Sequence, residues 1–477
     1  MSQYIPTIGI ECHVQLKTKT KLFAAVGNDA REAPPNTLIS HICLGMPGAL
    51  PVLNKAAVEL AIKAANALKT RPQHFSRFDR KHYFYPDLPK GYQISQLHHP
   101  IILGGHVDIE AGGEKKQIGI TRAHLEEDAG KSTHPAGKDY SLVDLNRAGT
   151  PLLEIVSEPE IHSAEEAKAF ARELYLLMKY SGVSEADLYY GNMRFDVNVS
   201  VSNTGELGNR TETKNLNSFR SVEKAVEYEI KRQTQLLEKG EEITQETRGW
   251  DDAKQKTFSQ RSKEEAHDYR YFPDPDIPPV ALDDEYIDKV LAGRTLSVDD
   301  MRSKVLSSGA SKELTETILD NPVIAKFVLN LIDFGKDSKT VASAVQWVGQ
   351  LAPKIAIDYG KTQDELNLKA DKILTLAEML AANQLSSTQA KAIFTQIILN
   401  DVEPAKYAEE NDMLQVSDAG ALEEIVGRVL AVNAKAADDV RRGEMKAIGF
   451  LVGQVMKESA GKANPGMVKQ LIKDKLS

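Results

Sequence analysis

The chain has 477 residues, 42% of them hydrophobic and 27% charged, which is enough for about three soluble domains. No apolar run reaches the roughly 20 residues of a membrane span, and the start lacks the pattern of a signal peptide. Membrane-spanning and disordered classes are therefore excluded. Two cysteines make no disulfide framework, so we expect a cytoplasmic protein. The net charge of −9 argues against nonspecific binding of nucleic acid.

Two segments of the first half alternate apolar and polar residues with the period of a β-strand. The first covers residues 8–16 and the second residues 192–200, and each has one apolar and one polar face. Strands of this kind predict an antiparallel sheet with one face on a core and the other face open.

Helical signals interrupt and then follow the strands. Ser163-Ala-Glu-Glu166 is a capping box that predicts a helix ending before Gly182, and a second helix is predicted from Ser221 to Glu238. From about residue 292 onward proline becomes scarce and helical periodicity dominates. We therefore predict an α+β chain with a large antiparallel-sheet cradle domain at residues 1–291, an all-helical domain at 292–405 and a helical tail at 406–477.

Acidic residues occur on three predicted strands. Glu11 and His13 project from one face because they are two residues apart, and Glu154 lies within an apolar strand. Glu126 and Glu127 are consecutive, so only one of them can face a given site, and the sequence leaves open which one. An exposed polar face with a chance histidine, or an edge position for Glu154, explains each segment alone. Together they favour a divalent-metal site, since Mg²⁺ needs only one or two direct carboxylates.

Several familiar active-site motifs are missing. Gly130-Lys131-Ser132 resembles the end of a phosphate-binding loop, but Leu125 stands where that motif requires its first glycine. The sequence has no paired-cysteine zinc motif, no nucleophile elbow and no dinucleotide-binding glycine pattern. The reaction class that remains is phosphoryl or acyl transfer, with a bound cation and an external nucleophile.

The C-terminal segment is basic although the chain as a whole is acidic. Residues 441–477 contain many lysines and arginines but only Glu444, Glu458 and Asp474 as acids. A basic, helix-rich tail suggests a polyanionic partner. A solvated helical face explains the same charge without any partner.

Seven strings in fixed order resemble one known family. They are Ile8-Gly-Ile-Glu-Cys-His-Val-Gln15, Phe78-Asp-Arg-Lys-His-Tyr-Phe-Tyr-Pro86, Gly91-Tyr-Gln-Ile-Ser-Gln96, His124-Leu-Glu-Glu-Asp-Ala-Gly-Lys131, Leu142-Val-Asp-Leu-Asn-Arg147, Asn215-Leu-Asn-Ser-Phe219 and Asp268-Tyr-Arg-Tyr-Phe-Pro273. The chain is similar to the B subunits of the aspartyl/glutamyl-tRNA(Asn/Gln) amidotransferases. Its tail, with Gly449-Phe-Leu-Val-Gly-Gln454 and Ala463-Asn-Pro465, resembles that family's tRNA-binding domain.

This resemblance implies a ligase reaction and its partners. The family acts with an amidase (glutaminase) partner, the A subunit, which releases ammonia from glutamine, and with a small third partner, the C subunit. In this family the B subunit receives tRNA mischarged with Glu or Asp. It phosphorylates the side-chain carboxylate with ATP and Mg²⁺, and ammonia then displaces the phosphate. Its catalytic metal-site residues carry over onto Glu11, His13, Glu127 and Glu154. Whether Glu-tRNA(Gln), Asp-tRNA(Asn) or both is the substrate stays open.

Two further residue sets are predicted to bind substrate. We expect the aminoacyl end or the nucleotide to be oriented by Arg194, Asp196, Asn198, Lys214 and Asn217, although a solvated outer face is the alternative. We expect tRNA phosphates to be met by Lys446, Lys457, Lys462, Lys469 and Lys473.

Some relatives carry a four-cysteine zinc knuckle near the N-terminus. At the matching positions this chain has Ala24, Val26 and Ser40 and keeps only Cys43, so we predict no structural zinc.

Two other functions compete with the ligase. One is a tRNA-binding scaffold that performs no chemistry and presents substrate to a partner amidase. Such a scaffold has no need for acidic strand residues to converge. The other is a stand-alone metal-dependent phosphohydrolase, which the basic tail disfavours.

Overall fold

The structure, a computed structural model, describes residues 4–262, 268–293, 296–335, 337–415, 419–442, 444, 446–459, 463 and 465–476. Their contacts form two compact units, one ending at Val298 and the other beginning at Asp299. Within the described residues, no helix is both long enough and apolar enough to cross a membrane.

The strands of the described chain all lie in the first unit, together with four helices. The strands are β1 (Ile5–Gln15), β2 (Phe75–Ser76), β3 (Asp79–His82), β4 (Tyr92–Ser95), β5 (Ile102–Leu103), β6 (His106–Ala111), β7 (Glu114–Glu127), β8 (Lys131–Thr133), β9 (Leu142–Asp144), β10 (Pro151–Ser157), β11 (Met193–Ser202), β12 (Thr211–Leu216), β13 (Glu246–Asp251), β14 (Lys256–Ser262), β15 (Phe272–Pro273) and β16 (Val280–Ala281). The helices are α1 (Lys55–Ala67), α2 (Ala164–Tyr180), α3 (Phe219–Glu238) and α4 (Asp284–Leu291).

Nine of the described strands form one main sheet. Its order is β14-β13-β12-β11-β1-β10-β7-β5, with β6 also paired to β7. Neighbours are antiparallel except β12 and β13, which run parallel. Because parallel neighbours need a long crossover, the intervening helix α3 explains this one departure from the predicted antiparallel sheet. The predicted α+β class is confirmed.

One face of the main sheet is packed on helices. The predicted apolar face of β1 is buried, with Ile8 and Val14 at 0% exposure, and it joins a core that includes side chains of α1, α2 and α3. Burying these side chains on one face leaves the polar set of the same strands on the other face.

Both helices predicted for this unit are present, and one of them begins earlier in the chain than predicted. Ser163 caps α2 by accepting a hydrogen bond from the Glu166 backbone N–H, as the capping box predicts. Helix α3 begins at Phe219 because Ser218 accepts from the Ser221 backbone N–H, so the predicted start at Ser221 is late by about half a turn.

Small sheets flank the main one, and one of them reaches the end of β7. Strands β15, β3 and β4 form a three-stranded sheet, and β4 packs beside β7. The Ile94 backbone N–H of β4 donates to the Glu127 carboxylate over 3.0 Å. This sheet is therefore held next to the last residues of β7.

The second unit is helical. Its helices are α5 (Val298–Ser307), α6 (Lys312–Leu319), α7 (Pro322–Phe334), α8 (Ser338–Asp358), α9 (Ala370–Ala381), α10 (Ser387–Asn400), α11 (Pro404–Glu410), α12 (Ala419–Val432), α13 (Ala434–Arg441), α14 (Ala447–Glu458) and α15 (Pro465–Leu476). Helix α11 packs against α9 and α10, so the predicted boundary at 405/406 falls inside a packed helix. Helices α12 to α15 share a separate apolar core around Leu422, Leu451 and Ile472.

A lysine organises the loop where some relatives have a zinc knuckle. The Lys21 side chain is 1% exposed, and its ammonium donates to the Leu38 carbonyl over 2.6 Å and to Cys43 Sγ over 3.5 Å. Ser40 Oγ lies 3.4 Å from the same sulfur. The buried Lys21 ammonium thus connects two parts of the loop through these hydrogen bonds. The lack of a structural zinc stays a prediction.

Candidate metal centre on the open face of the sheet

The register of three neighbouring strands assembles the candidate site. His13 of β1 lies opposite Glu154 of β10, and Glu154 lies opposite His124 of β7. Residues directly opposite one another share a face of a sheet, and Glu126 joins them because it is two residues after His124. Two imidazoles and two carboxylates therefore meet on the open face.

The four side chains are within a few ångströms of one another. His13 Nε2 is 3.5 Å from Glu126 Oε1 and 3.5 Å from Glu154 Oε2. His124 Nε2 is 3.6 Å from Glu126 Oε2 and 3.4 Å from Glu154 Oε2. Glu126 and His124 are buried, at 3% and 4% exposure, whereas His13 and Glu154 are half-buried. The cluster therefore opens to ligands on the His13 and Glu154 side.

The carboxylates hold the imidazoles in the charged form. Burial lowers the pKa of His13, but hydrogen bonding to Glu154 and the charge of Glu126 outweigh it and raise the pKa to about 9. The same opposition raises the pKa of His124 to about 9. Burial raises the pKa of Glu154, yet the two imidazoliums bring it well below its usual range. The cluster is thus electrically balanced when both imidazoles are protonated.

The donor atoms fit a divalent cation. One ligand atom each from His13, Glu126 and Glu154 lies within 4.8 Å of the others, the one such group found among the described residues. Two carboxylates and one imidazole suit a hard cation such as Mg²⁺. Protons on the imidazoles and a bound cation balance the same carboxylates, so cation binding competes with protonation.

Glu127 is not part of this cluster, which corrects the predicted ligand set. It shares the strand parity of Leu125, which is fully buried, and so projects from the other face of β7. Its carboxylate pairs with the Lys90 ammonium and accepts from the Ile94 backbone N–H. The structure therefore places Glu126, and not Glu127, with His13 and Glu154.

Glu11 begins a second row of polar groups beside the cluster. It lies opposite Asp196 of β11 and accepts a hydrogen bond from Asn198 Nδ2 over 3.1 Å. Burial, together with the charges of Glu154 and Glu212, raises its pKa. Glu11 therefore stands next to the His13 cluster on the same face, although it is not one of the three converging ligands.

The predicted substrate-binding residues fall into one group and one outlier. Asp196 accepts from the Asn215 backbone N–H over 2.8 Å and from Lys214 Nζ over 3.2 Å, and Lys214 also reaches Glu212. Arg194 lies opposite His13 and donates to Asp128 over 3.4 Å. Arg194, Asp196, Asn198 and Lys214 thus line the row that contains Glu11. Asn217 is exposed between β12 and α3, apart from these contacts.

Comparisons with known families match most of the chain. Residues 6–288 match the model of the GatB/GatE catalytic domain, and residues 326–476 match the model of the GatB domain. The chain belongs to the GatB family. The resemblance seen in the sequence is confirmed.

Similar proteins cover this GatB chain from end to end. The aspartyl/glutamyl-tRNA(Asn/Gln) amidotransferase B subunit of Carboxydothermus hydrogenoformans is 44% identical, with 100% of both chains covered. The proteins of the same name from Brevibacillus brevis and Geobacter sulfurreducens are each 44% identical, with 100% and 99% of both chains covered. The candidate metal centre lies within the span that matches the catalytic domain, and helices α12 to α15 lie within the span of the GatB domain.

The predicted tail lysines of this GatB chain are mostly accessible. Lys446, Lys457 and Lys469 are exposed and Lys473 is half-buried, and in the described part of the tail none of the four has an ion-pair partner. Lys462 lies outside the described residues. Four cations without internal partners are free to meet an anionic surface.

The sequence did not lead us to one side chain of the cluster, His124, or to two lysines near the end of β7. His124 lies two residues before Glu126, a spacing that places both on one face of a strand, so its signal was present. Lys90 and Lys81 belong to or adjoin the small sheet of β3 and β4, and no local pattern indicates that this sheet packs beside β7.

Proposed function

We propose that this GatB chain is the tRNA-dependent amidotransferase subunit that activates the side-chain carboxylate of misacylated Glu-tRNA(Gln), Asp-tRNA(Asn) or both. The observation that carries the proposal is the convergence of His13, Glu126 and Glu154 on the open face of a sheet within the catalytic-domain span. A pure scaffold has no use for two carboxylates held against two imidazoles, since burying charge is costly without a compensating role.

The proposed chemistry has two balanced steps. A carboxylate oxygen of the aminoacyl side chain attacks the γ-phosphorus of ATP, the bond to the β–γ bridging oxygen breaks, and ADP leaves with that electron pair. Ammonia then attacks the acyl carbon, and phosphate leaves as the carbon–oxygen bond breaks. One ammonia proton passes to phosphate, and the side chain becomes an amide.

The chain's own residues supply the place for this reaction. His13, Glu126 and Glu154 are the residues that would hold Mg²⁺, which when bound neutralises charge on the phosphoryl oxygens. His124 fixes both carboxylates from the buried side. Asn198 orients Glu11 at the edge of the cluster.

The charged row on β11 and β12 is suited to orienting the aminoacyl end. Arg194 and Lys214 carry positive charge along the face that contains His13 and Glu11. Hydrogen bonds from such cations to carboxylate or phosphate oxygens are stronger than neutral ones. Both side chains are held by carboxylates of the chain, which fixes their positions before substrate binds.

Partners complete the reaction. No nucleophile elbow occurs in the sequence, so ammonia has to come from a separate amidase, the A subunit, with the small C subunit in the same complex. The tail with Lys446, Lys457, Lys469 and Lys473 is suited to holding the tRNA body, because exposed lysines bind phosphates by charge. We place the reaction in the cytoplasm, where tRNA is used.

A matched pair of variants tests the ligase against the scaffold. In the assembled complex, Glu126→Gln should reduce ATP cleavage stimulated by Glu-tRNA by about 100-fold or more, because one of the two carboxylates of the centre is lost. Glutamine hydrolysis by the amidase should continue. The control is Glu114→Gln, an exposed carboxylate at the far end of the same strand, which should leave ATP cleavage unchanged.

The scaffold predicts a different pattern. If the chain only presents tRNA, Glu126→Gln should either alter tRNA binding or have no effect. ATP cleavage should then depend on a residue of another protein in the complex. Equal ATP cleavage by the wild type and the Glu126→Gln variant would therefore reject the proposed function.

A further inference from the structure

A lysine outside the predicted sites adjoins the metal centre. Lys81 lies on β3 opposite Gln93 of β4, and the Gln93 side chain donates to the Glu127 carbonyl over 2.8 Å. That hydrogen bond fixes the small sheet against the last residue of β7, next to Glu126. Backbone pairing therefore holds Lys81 near the end of β7, where the charges of Glu126 and Glu154 act on its ammonium.

Aromatic rings surround the Lys81 ammonium. Its Nζ lies 4.8 Å from the centroid of the Tyr269 ring and 5.9 Å from that of Tyr83. The two rings are packed edge to face with their centroids 6.2 Å apart. A cation over a ring face is stabilised by the ring's electron density, and that contact uses none of the three N–H donors of an ammonium.

Lys81 differs from the other lysines near the site in having unused donors. Lys90 is paired with Glu127, and Lys214 with Asp196 and Glu212. The Lys81 ammonium has neither a hydrogen bond nor an ion pair with any residue in the described ranges. Burial lowers its pKa, but Tyr271 and the carboxylates of Glu126 and Glu154 outweigh burial and raise it. The group is thus a charged, half-buried cation with donors to spare.

We propose that Lys81 binds the transferring phosphoryl group, first as the γ-phosphate of ATP and then as the phosphate of the acyl phosphate. The inference rests on the proposed function and adds a residue to it. An ammonium beside the centre would offset charge on the phosphoryl oxygens that a cation held by His13, Glu126 and Glu154 would not contact, as cationic side chains do in phosphoryl transfer. The tyrosines hold this cation in place without competing for its donors.

Lys81→Met tests the proposal because methionine keeps an apolar stem under the rings and removes the charge together with the N–H donors. In the assembled complex with Mg²⁺ and without tRNA, this variant should bind a non-hydrolysable ATP analogue at least 10-fold more weakly than the wild type. ATP cleavage stimulated by Glu-tRNA should fall by about 100-fold. Lys81→Arg should restore analogue binding to within a few-fold. Lys115→Met, which removes an exposed lysine of β7, is the control and should match the wild type.

The outcomes separate this inference from the proposed function. Wild-type analogue binding by Lys81→Met would overturn the role of Lys81, even if amidation were lost, since that pattern assigns the cation to the aminoacyl end. Loss of ATP cleavage in Glu126→Gln would still support the ligase in that case. Absence of ATP cleavage by the wild type would reject both.

A measurement on the wild-type chain covers the case in which Lys81→Met does not fold. After reductive methylation of lysines with a carbon label, the Lys81 resonance should shift when the ATP analogue and Mg²⁺ are added, while that of Lys115 should stay. An unchanged Lys81 resonance at saturating analogue would contradict the proposal.

Discussion

At the scale of single residues, the site depends on which of two adjacent glutamates faces the open side of the sheet. Glu126 has the parity of His124, and Glu127 has the parity of the buried Leu125. Each carboxylate is buried and each has cationic partners, the imidazoles for Glu126 and the Lys90 ammonium for Glu127. The two neighbouring glutamates therefore have different partners, because successive side chains of a strand point to opposite faces.

A third buried glutamate has a structural role. Glu229 of α3 is fully buried and is paired with the guanidinium groups of Arg232 and Arg248. It also accepts hydrogen bonds from the hydroxyls of Thr211 and Thr257. Burial raises its pKa, but Arg232 and the two hydroxyls outweigh burial, and the pKa is lowered. The folded protein therefore holds Glu229 as a carboxylate.

We expect Glu229→Gln to lower the free energy of unfolding of the first unit by about 3 kcal/mol at neutral pH, because it leaves buried guanidinium charge without its carboxylate. A group with a lowered folded pKa contributes stability above its unfolded pKa and loses it as the pH falls. The difference between wild type and variant should therefore be constant from pH 7 to 5 and shrink below about 4.5. Calorimetry of the two proteins across that range measures it.

The control for this prediction is Glu227→Gln on the same helix. Glu227 is exposed, and within the described residues its one ion pair is with Lys224, so its loss should cost less than about 0.5 kcal/mol. A Glu229→Gln variant that unfolds at the wild-type temperature would show that the network does not stabilise the fold.

The sequence indicates part of this residue-scale picture. The spacing of Glu11 and His13 and the apolar flanks of Glu154 locate the centre, since alternation is a local property. The parity of His124 and Leu125 favours Glu126 over Glu127, whereas bringing Glu126 next to Glu154 depends on the register between β7 and β10, which no local pattern specifies. Lys81 could not be predicted because its role depends on where a four-residue strand packs.

At the scale of elements, strand β3 divides two cations between two tasks. Arg80 and Lys81 are adjacent and project to opposite faces. The Arg80 guanidinium pairs with the buried Asp274 over 2.8 Å and lies 4.4 Å from the centroid of the Tyr92 ring, which ties β3 to its own sheet. Lys81 remains for the metal centre. One short strand thus contributes both an anchor and a candidate ligand for anions.

The end of helix α3 could be predicted from the sequence, but its first turn and its place in the sheet could not. Its periodicity and its stop at Gly240 are local, and the helix ends at Glu238 as predicted. Its first turn is set by Ser218, a capping serine that lies before the expected start. That it links a parallel pair of strands is a property of the whole sheet, so the antiparallel prediction missed it.

At the scale of the whole molecule, charge is distributed unevenly along the chain, because residues 441–477 are basic in an otherwise acidic protein. The chain carries a net charge of −9, yet its last helices expose Lys446, Lys457 and Lys469. An acidic protein with one basic surface attracts a polyanion to that surface and repels it elsewhere. This distribution supports the proposed binding of tRNA by the tail.

The tail lysines should govern the salt dependence of tRNA binding. Replacing Lys457 and Lys469 by Gln should reduce the slope of log affinity against log salt by about 1.5, because each phosphate contact contributes roughly 0.7 to 0.9. Lys354→Gln, an exposed lysine of α8, is the control and should leave the slope unchanged. Filter binding across a salt series measures the slope. An unaltered slope in the double variant would show that these lysines form a solvated face and do not contact tRNA phosphates.

The central claim is that the side-chain carboxylate of misacylated tRNA attacks ATP in this chain. In the most direct test, tRNA is charged with glutamate in which both side-chain carboxylate oxygens are a heavy isotope, and the assembled complex is supplied with ATP, Mg²⁺ and glutamine. Each phosphate released with amide formation should carry one heavy oxygen from that carboxylate. Phosphate without the label would mean that water cleaves ATP, and would contradict the account.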